Sequence, residues 1–165
     1  MSESTILDTV KLETGQTAPE FTTTNQHGDS VVLSQFRGKQ NVVLYFYPKD
    51  DTPGCTIEAN EFSSLISDFE AAATLVFGVS RDSVEKHRKF ISKHNLTVDL
   101  LLDSEGDICN SYGTWGERQF MGKKYMGISR STFVIDKSGK LIEANYKVHA
   151  KGHAQKMLEL VESLD

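Results

Sequence analysis

Residues 41–47 read Asn-Val-Val-Leu-Tyr-Phe-Tyr, one of the two longest apolar stretches in the chain. Its β-branched and aromatic content is that of a central, buried strand. Pro48 closes it, since proline has no N–H to offer a sheet ladder. From Thr56 onward the period changes: Phe62, Leu65, Ile66 and Phe69 fall on one stripe at helical spacing. The same alternation then repeats, with a strand expected over 75–79, a helix over 83–94 carrying Val84, His87 and Ile91 on one side, and a strand over 98–102. A β-α-β-α-β order of this kind restricts the chain to an α/β sandwich around a mixed sheet.

The flanks fit the same plan. Residues 21–24 and 31–33 read as two short strands joined by the polar turn Asn25-Gln26-His27-Gly28, an N-terminal hairpin. Ser34 is placed to cap a short helix ending near Gly38. Asp103-Ser104-Glu105-Gly106 opens a loop and a short helix that carries Cys109, and the Gly-rich, aromatic passage 112–127 reads as irregular. Residues 130–135 and 141–146 flank the turn-forming Asp136-Lys137-Ser138-Gly139 as a second hairpin, and 154–164 forms a closing helix with Met157, Leu158, Val161 and Leu164 on one face. At 165 residues the whole is expected to be one domain.

Charge and cysteine usage exclude several roles. With 18 basic against 23 acidic residues and a net charge of −5, the chain has no basic excess for nucleic acid or an anionic membrane. Met1-Ser2-Glu3-Ser4-Thr5 does not read as a signal peptide, and the apolar stretches are too short to cross a bilayer, so a cytoplasmic protein is expected. Two cysteines, Cys55 and Cys109, do not make a disulfide framework. His149 and His153 are four apart with no Cys or carboxylate following at ligand spacing, so no metal site and no cofactor are expected.

The chemistry concentrates at Cys55, where the central strand gives way to the helix. Helix N-terminal N–H groups lack intrahelical partners and carry partial positive charge, which favours a thiolate. Glu58 is expected near the first turn, where its charge suits the dipole. Taken alone, an intracellular cysteine is more often a small buried hydrophobe. Its neighbours decide otherwise.

Tyr45-Phe46-Tyr47-Pro48-Lys49-Asp50-Asp51-Thr52-Pro53-Gly54-Cys55-Thr56 resembles the active-site segment of peroxiredoxins, with Pro48, Thr52 and Cys55 in the P-x-x-x-T/S-x-x-C pattern. The Thr-Pro-Gly-Cys-Thr form is most similar to the bacterioferritin-comigratory-protein (BCP) or PrxQ branch. Three further passages agree with it in order: 15–21, 112–117 and 127–136. The resemblance runs from about Leu12 to the final helix. It implies one AhpC/TSA-type domain over 1–165 with a thioredoxin-like fold, reduction of hydrogen peroxide and organic hydroperoxides, a monomer, and a distant arginine that completes the pocket, matched here by Arg130.

In that chemistry a thiolate attacks one peroxide oxygen, the other leaves, and a sulfenic acid remains. An ordinary thiol of pKa ~8.5 is about 3% ionised at pH 7, so full ionisation is worth only roughly 30-fold, or about 2 kcal/mol. The larger share must come from donors that hold the peroxide and stabilise the leaving oxygen. The Thr52 hydroxyl, the Gly54 and Cys55 N–H groups and the Arg130 guanidinium are the expected donors, with Pro48 shielding the thiolate and Glu58 orienting Arg130.

One position departs from the branch. Many members carry a resolving cysteine five residues after the first, where this chain has Asn60, and the helix over 83–94 has no cysteine either. A one-cysteine enzyme recycled by thioredoxin, glutaredoxin or glutathione is therefore expected, with Cys109 read as a packing residue and, alternatively, as an unusual resolver. Rival readings are weaker. A thiol–disulfide oxidoreductase wants C-x-x-C, but Glu58 stands three residues after Cys55; a cysteine hydrolase needs a His–Asn pair that nothing local supplies. A non-turnover peroxide sensor would use the same pocket once per thiol.

Overall fold

The computed structural model describes residues 5–7 and 11–164. A five-stranded mixed sheet forms its centre, built from β4 (Asn41–Phe46), β5 (Thr74–Ser80), β6 (Asp99–Leu102), β9 (Ser131–Ile135) and β10 (Leu141–Asn145) in the order β10-β9-β4-β5-β6. β4, β5 and β6 run parallel, whereas β9 lies antiparallel to both β4 and β10. The parallel pairs are joined by right-sized crossovers, α1 (Pro53–Ser64) with α2 (Ile66–Ala71), then α3 (Val84–His94). This is the α/β sandwich around a mixed sheet expected from the strand and helix periods, in the thioredoxin-like form that the peroxiredoxin resemblance implies.

Period-two alternation divides the interior into two cores. Val42, Leu44 and Phe46 of β4 face one way and pack with Phe133, Leu101 and Tyr112, while Val43, Tyr45 and Tyr47 face the other and pack with Phe62, Phe69, Phe90 and Met157. The second core lies beneath α1, α2, α3 and the closing helix α5 (His153–Glu162). The first is covered by α4 (Asp107–Ser111) and by the N-terminal hairpin of β2 (Thr22–Thr24) and β3 (Ser30–Val32), which the short 3₁₀ turn Leu33–Phe36 follows. The expected hairpin is thus present, and Asn25 at its turn bridges to Leu101.

Four expectations require correction. The passage 112–127 is not irregular: β7 (Trp115–Phe120) and β8 (Lys123–Ile128) form a hairpin, and β1 (Thr5–Leu7) adds to its edge. Its two-residue turn has Met121 at φ 52° and Gly122 at φ 81°, the left-handed pair that suits the strand twist. The helical stripe from 56 to 69 is broken at Leu65, which ends α1 and begins α2. In α3, Phe90 joins His87 in the interior, a residue missed beside Val84 and Ile91. Finally, α1 starts at Pro53, two residues ahead of the expected start at Cys55, and Glu58, expected near the first turn, lies beyond it and is fully buried. Among the described residues no helix is long and apolar enough to cross a membrane.

Candidate active site

The loop between β4 and α1 begins at the carboxyl end of a parallel strand, the usual position for a site in an open α/β sheet. Thr52 is the N-cap with extended backbone, and Pro53 takes the first helical position, where a missing N–H costs nothing. The first intrahelical bond of the cap runs from Thr56 N–H to the Thr52 carbonyl at 2.8 Å. Gly54 and Cys55 therefore keep first-turn amides with no acceptor inside the helix. The Thr52 side chain does not cap: its hydroxyl donates to the Lys49 carbonyl at 2.8 Å, which leaves its oxygen lone pairs as acceptors.

Arg130, immediately before β9, joins the helix from across the sheet. Its Nη2 donates to Cys55 Sγ at 3.4 Å and its Nη1 donates to Glu58 Oε1 at 2.8 Å. Cys55 and Glu58 are three apart on α1 and share one face, so a single guanidinium spans both. Burial lifts the Glu58 carboxyl to about 7, against the opposing pull of Arg130, with Glu61 adding to the rise. Its second oxygen, Oε2, is buried without a partner among the described residues, as is the Tyr45 hydroxyl. A Cβ at Gly54 would stand 2.9 Å from Arg130 Nη2, so a larger residue there would push the guanidinium aside.

Behind the loop lies a contact set that sequence reasoning did not find. Asp50 is buried; its Oδ1 accepts from the Tyr47 hydroxyl at 2.5 Å, its Oδ2 sits 2.7 Å from His87 Nδ1, and its N–H donates to Asp82 at 2.8 Å. His87 Nε2 donates to the Leu101 carbonyl at 3.0 Å. Next along, exposed Asp51 pairs with Lys93 and His94 at 2.7 and 2.8 Å. Two consecutive aspartates of the loop are thus gripped by α3.

The other sequence candidates are placed as follows. Pro48 is exposed and, with Arg130, lines a groove of about 880 Å³ that runs toward β7 and β8. Asn60 is exposed on α1. Cys109 is buried in the core on the opposite face of the sheet from Cys55, and burial, then the Asp103 carboxylate, push its thiol far up. His153 is buried and 2.8 Å from the Thr132 hydroxyl, whereas His149 is exposed on the groove. Among the described residues no three His, Cys, Asp or Glu side chains are grouped to hold a metal ion.

A thioredoxin-like sheet that sets a cysteine at a helix N-terminus against an arginine is the architecture of a thiol peroxidase. The comparisons place it further. Residues 14–144 match the AhpC/TSA family. A Helicobacter pylori peroxiredoxin of the bcp type is 50% identical over 149 residues, 90% of this chain and 97% of that one. Bacillus subtilis peroxiredoxin Bcp is 45% identical over 153 residues, 93% of this chain and 97% of that one. Among solved structures, Xanthomonas campestris bacterioferritin comigratory protein, described for its alkyl peroxide reduction activity, superposes with a TM-score of 0.82 at 33% identity, covering 94% of this chain and 98% of that one. The chain belongs to the AhpC/TSA peroxiredoxin family, in its BCP/PrxQ branch, and is an enzyme of the thiol-peroxidase class.

Proposed function

We propose that the protein reduces hydrogen peroxide and organic hydroperoxides through Cys55, as a one-cysteine enzyme recycled by an external thiol. The observation that carries this is the Arg130 guanidinium on both Cys55 Sγ and Glu58 Oε1. The Cys55 thiolate attacks the nearer peroxide oxygen, and the O–O bond breaks as the S–O bond forms. The departing oxygen gathers negative charge, which Arg130 and the Gly54 and Cys55 amides stabilise. The Thr52 oxygen, its proton committed to Lys49, accepts from the hydroperoxide O–H and so orients the attack. Pro48 covers the groove side of the loop without adding a donor that competes for the thiolate.

Recycling must come from outside. Position 60 is Asn, and Cys109 lies across the sheet, so thioredoxin, glutaredoxin or glutathione supplies the electrons to a monomeric enzyme. The test is stopped-flow oxidation by hydrogen peroxide. Cys55→Ser should abolish peroxide consumption, and undiminished turnover would sink the reading. Arg130→Ala should slow the oxidation step by roughly a hundredfold or more, in line with loss of a preorganised donor; an unaltered rate would remove Arg130 from the mechanism.

A further inference from the structure

Peroxide chemistry uses Arg130 and leaves the rest of the groove's charge unused. Hydrogen peroxide is small and neutral, yet among the sixteen described residues lining the groove six are cationic or imidazole side chains, namely Lys49, Arg81, Arg118, Arg130, Lys147 and His149, and none is Asp or Glu. The chain as a whole has an acidic excess, with net charge −5, so this concentration is local.

Arg118 sharpens the pattern. It is 9% exposed, its Nη1 donates to the Ile128 carbonyl, and its Nε is buried with no partner. No carboxylate among the described residues pairs with it. Burial lowers its pKa, Tyr125 opposes the fall, and the nearby Arg130 charge adds to it. A buried guanidinium beside another, with an unmet donor and no counter-ion among the described residues, is costly until an anion joins it. Arg81, stacked over Trp115 with its centre 4.3 Å from the ring, adds a further cation to the groove.

We infer that this groove docks an anionic thiol of low molecular mass, of the glutathione type, its carboxylate on Arg118 and its sulfur directed past Arg130 to oxidised Cys55. The inference rests on the peroxidase reading above and names the reductant for it. A thiol is required because neither Asn60 nor the distant Cys109 supplies one. A small one fits because Arg118 is recessed in the groove. The thiol sulfur attacks Cys55 Sγ of the sulfenic acid; the S–O bond breaks and hydroxide leaves with the thiol's proton as water. A second thiol attacks the outer sulfur of the mixed disulfide, which returns Cys55 reduced and releases the small-molecule disulfide.

The test uses the full chain, oxidised with one equivalent of hydrogen peroxide and checked by intact mass for one added oxygen on Cys55. Mixed-disulfide formation is then timed with glutathione, 2-mercaptoethanesulfonate, 2-mercaptoethanol and cysteamine. The variant-to-wild-type ratio for each thiol cancels that thiol's own acidity. Arg118→Gln should lower the ratio for both anionic thiols about tenfold relative to 2-mercaptoethanol, and leave cysteamine unslowed relative to it. Because Arg118 also holds the Ile128 carbonyl, exposed Lys147→Glu provides a second variant and should shift the ratios in the same order. Equal ratios for all four thiols would overturn the inference, as would efficient reduction by thioredoxin alongside charge-blind small thiols. So would a charge effect confined to the oxidation step with a carboxylate-bearing hydroperoxide, which would assign the groove to substrate. Failure of wild-type Cys55 to gain oxygen at all would bring down the peroxidase reading itself, and this inference with it.

Discussion

Glu58 carries the residue-scale argument. Its folded carboxyl titrates near 7, raised by burial above the ordinary 4.5, so the native state holds a proton that the unfolded chain has already released. The unfolded state then binds fewer protons over that window, and stability falls as pH rises from about 4.5 to about 7. The full penalty, up to about 3 kcal/mol, is in place above pH 7. His153 acts in the opposite sense: burial holds its imidazole down at about 4, so its contribution is complete above pH 6.5 and is lost as pH falls toward 4. A wild-type profile mixes the two, but comparison with Glu58→Gln separates them. Urea melts at pH 5 and pH 7.5 should show the variant gaining on wild type at the higher pH. A difference that does not change with pH would mean that Glu58 is ionised throughout this range.

At the scale of elements, the loop from β4 to α1 is held by α3 as much as by its own helix. His87 is fully buried, and both of its ring nitrogens meet acceptors, Asp50 and the Leu101 carbonyl. Breaking such a pair leaves a buried charge or dipole unmatched, at about 3 kcal/mol. His87→Leu should therefore lower stability by about that amount and slow Cys55 oxidation, because Pro48 and Thr52 bracket Asp50. Double-variant analysis with Asp50→Asn checks it: the two losses should be strongly non-additive, and simple additivity would separate the residues. This clasp was not legible in the sequence, where His87 reads as one member of a helix face and its partner stands 37 residues away. Alternation and helical spacing, by contrast, showed the sheet and its crossovers, since both are local periods. The hairpin of β7 and β8 stayed hidden because glycines and lysines interrupt its alternation, although Met121-Gly122 marks its turn. Cys55, Thr52 and Pro48 were legible through a contiguous pattern. Arg118 was not, because only folding removes it from carboxylates.

Across the whole molecule, the sheet is a partition. β4 sends Val43 and Tyr45 toward the core that holds Cys55, and Leu44 and Phe46 toward the core that holds Cys109. A disulfide needs Cα atoms within about 7 Å and converging Cβ vectors, which two residues packed on opposite faces of an intact sheet do not offer. Cys109 is further restrained, since its N–H and that of Ile108 donate to the two oxygens of Asp103 at 2.8 and 2.9 Å. Its raised pKa, set by burial and then by Asp103, also keeps it in the unreactive thiol form. Wild type and Cys109→Ala should therefore give the same product after one equivalent of peroxide without reductant, a Cys55 sulfenic acid that a dimedone-type probe traps in equal yield. Alkylation of Cys109 in the native protein should proceed only as fast as the fold opens. An internal disulfide in the wild type, absent from Cys109→Ala, would show that the core around α4 opens within the catalytic cycle and would replace the external thiol with an internal one.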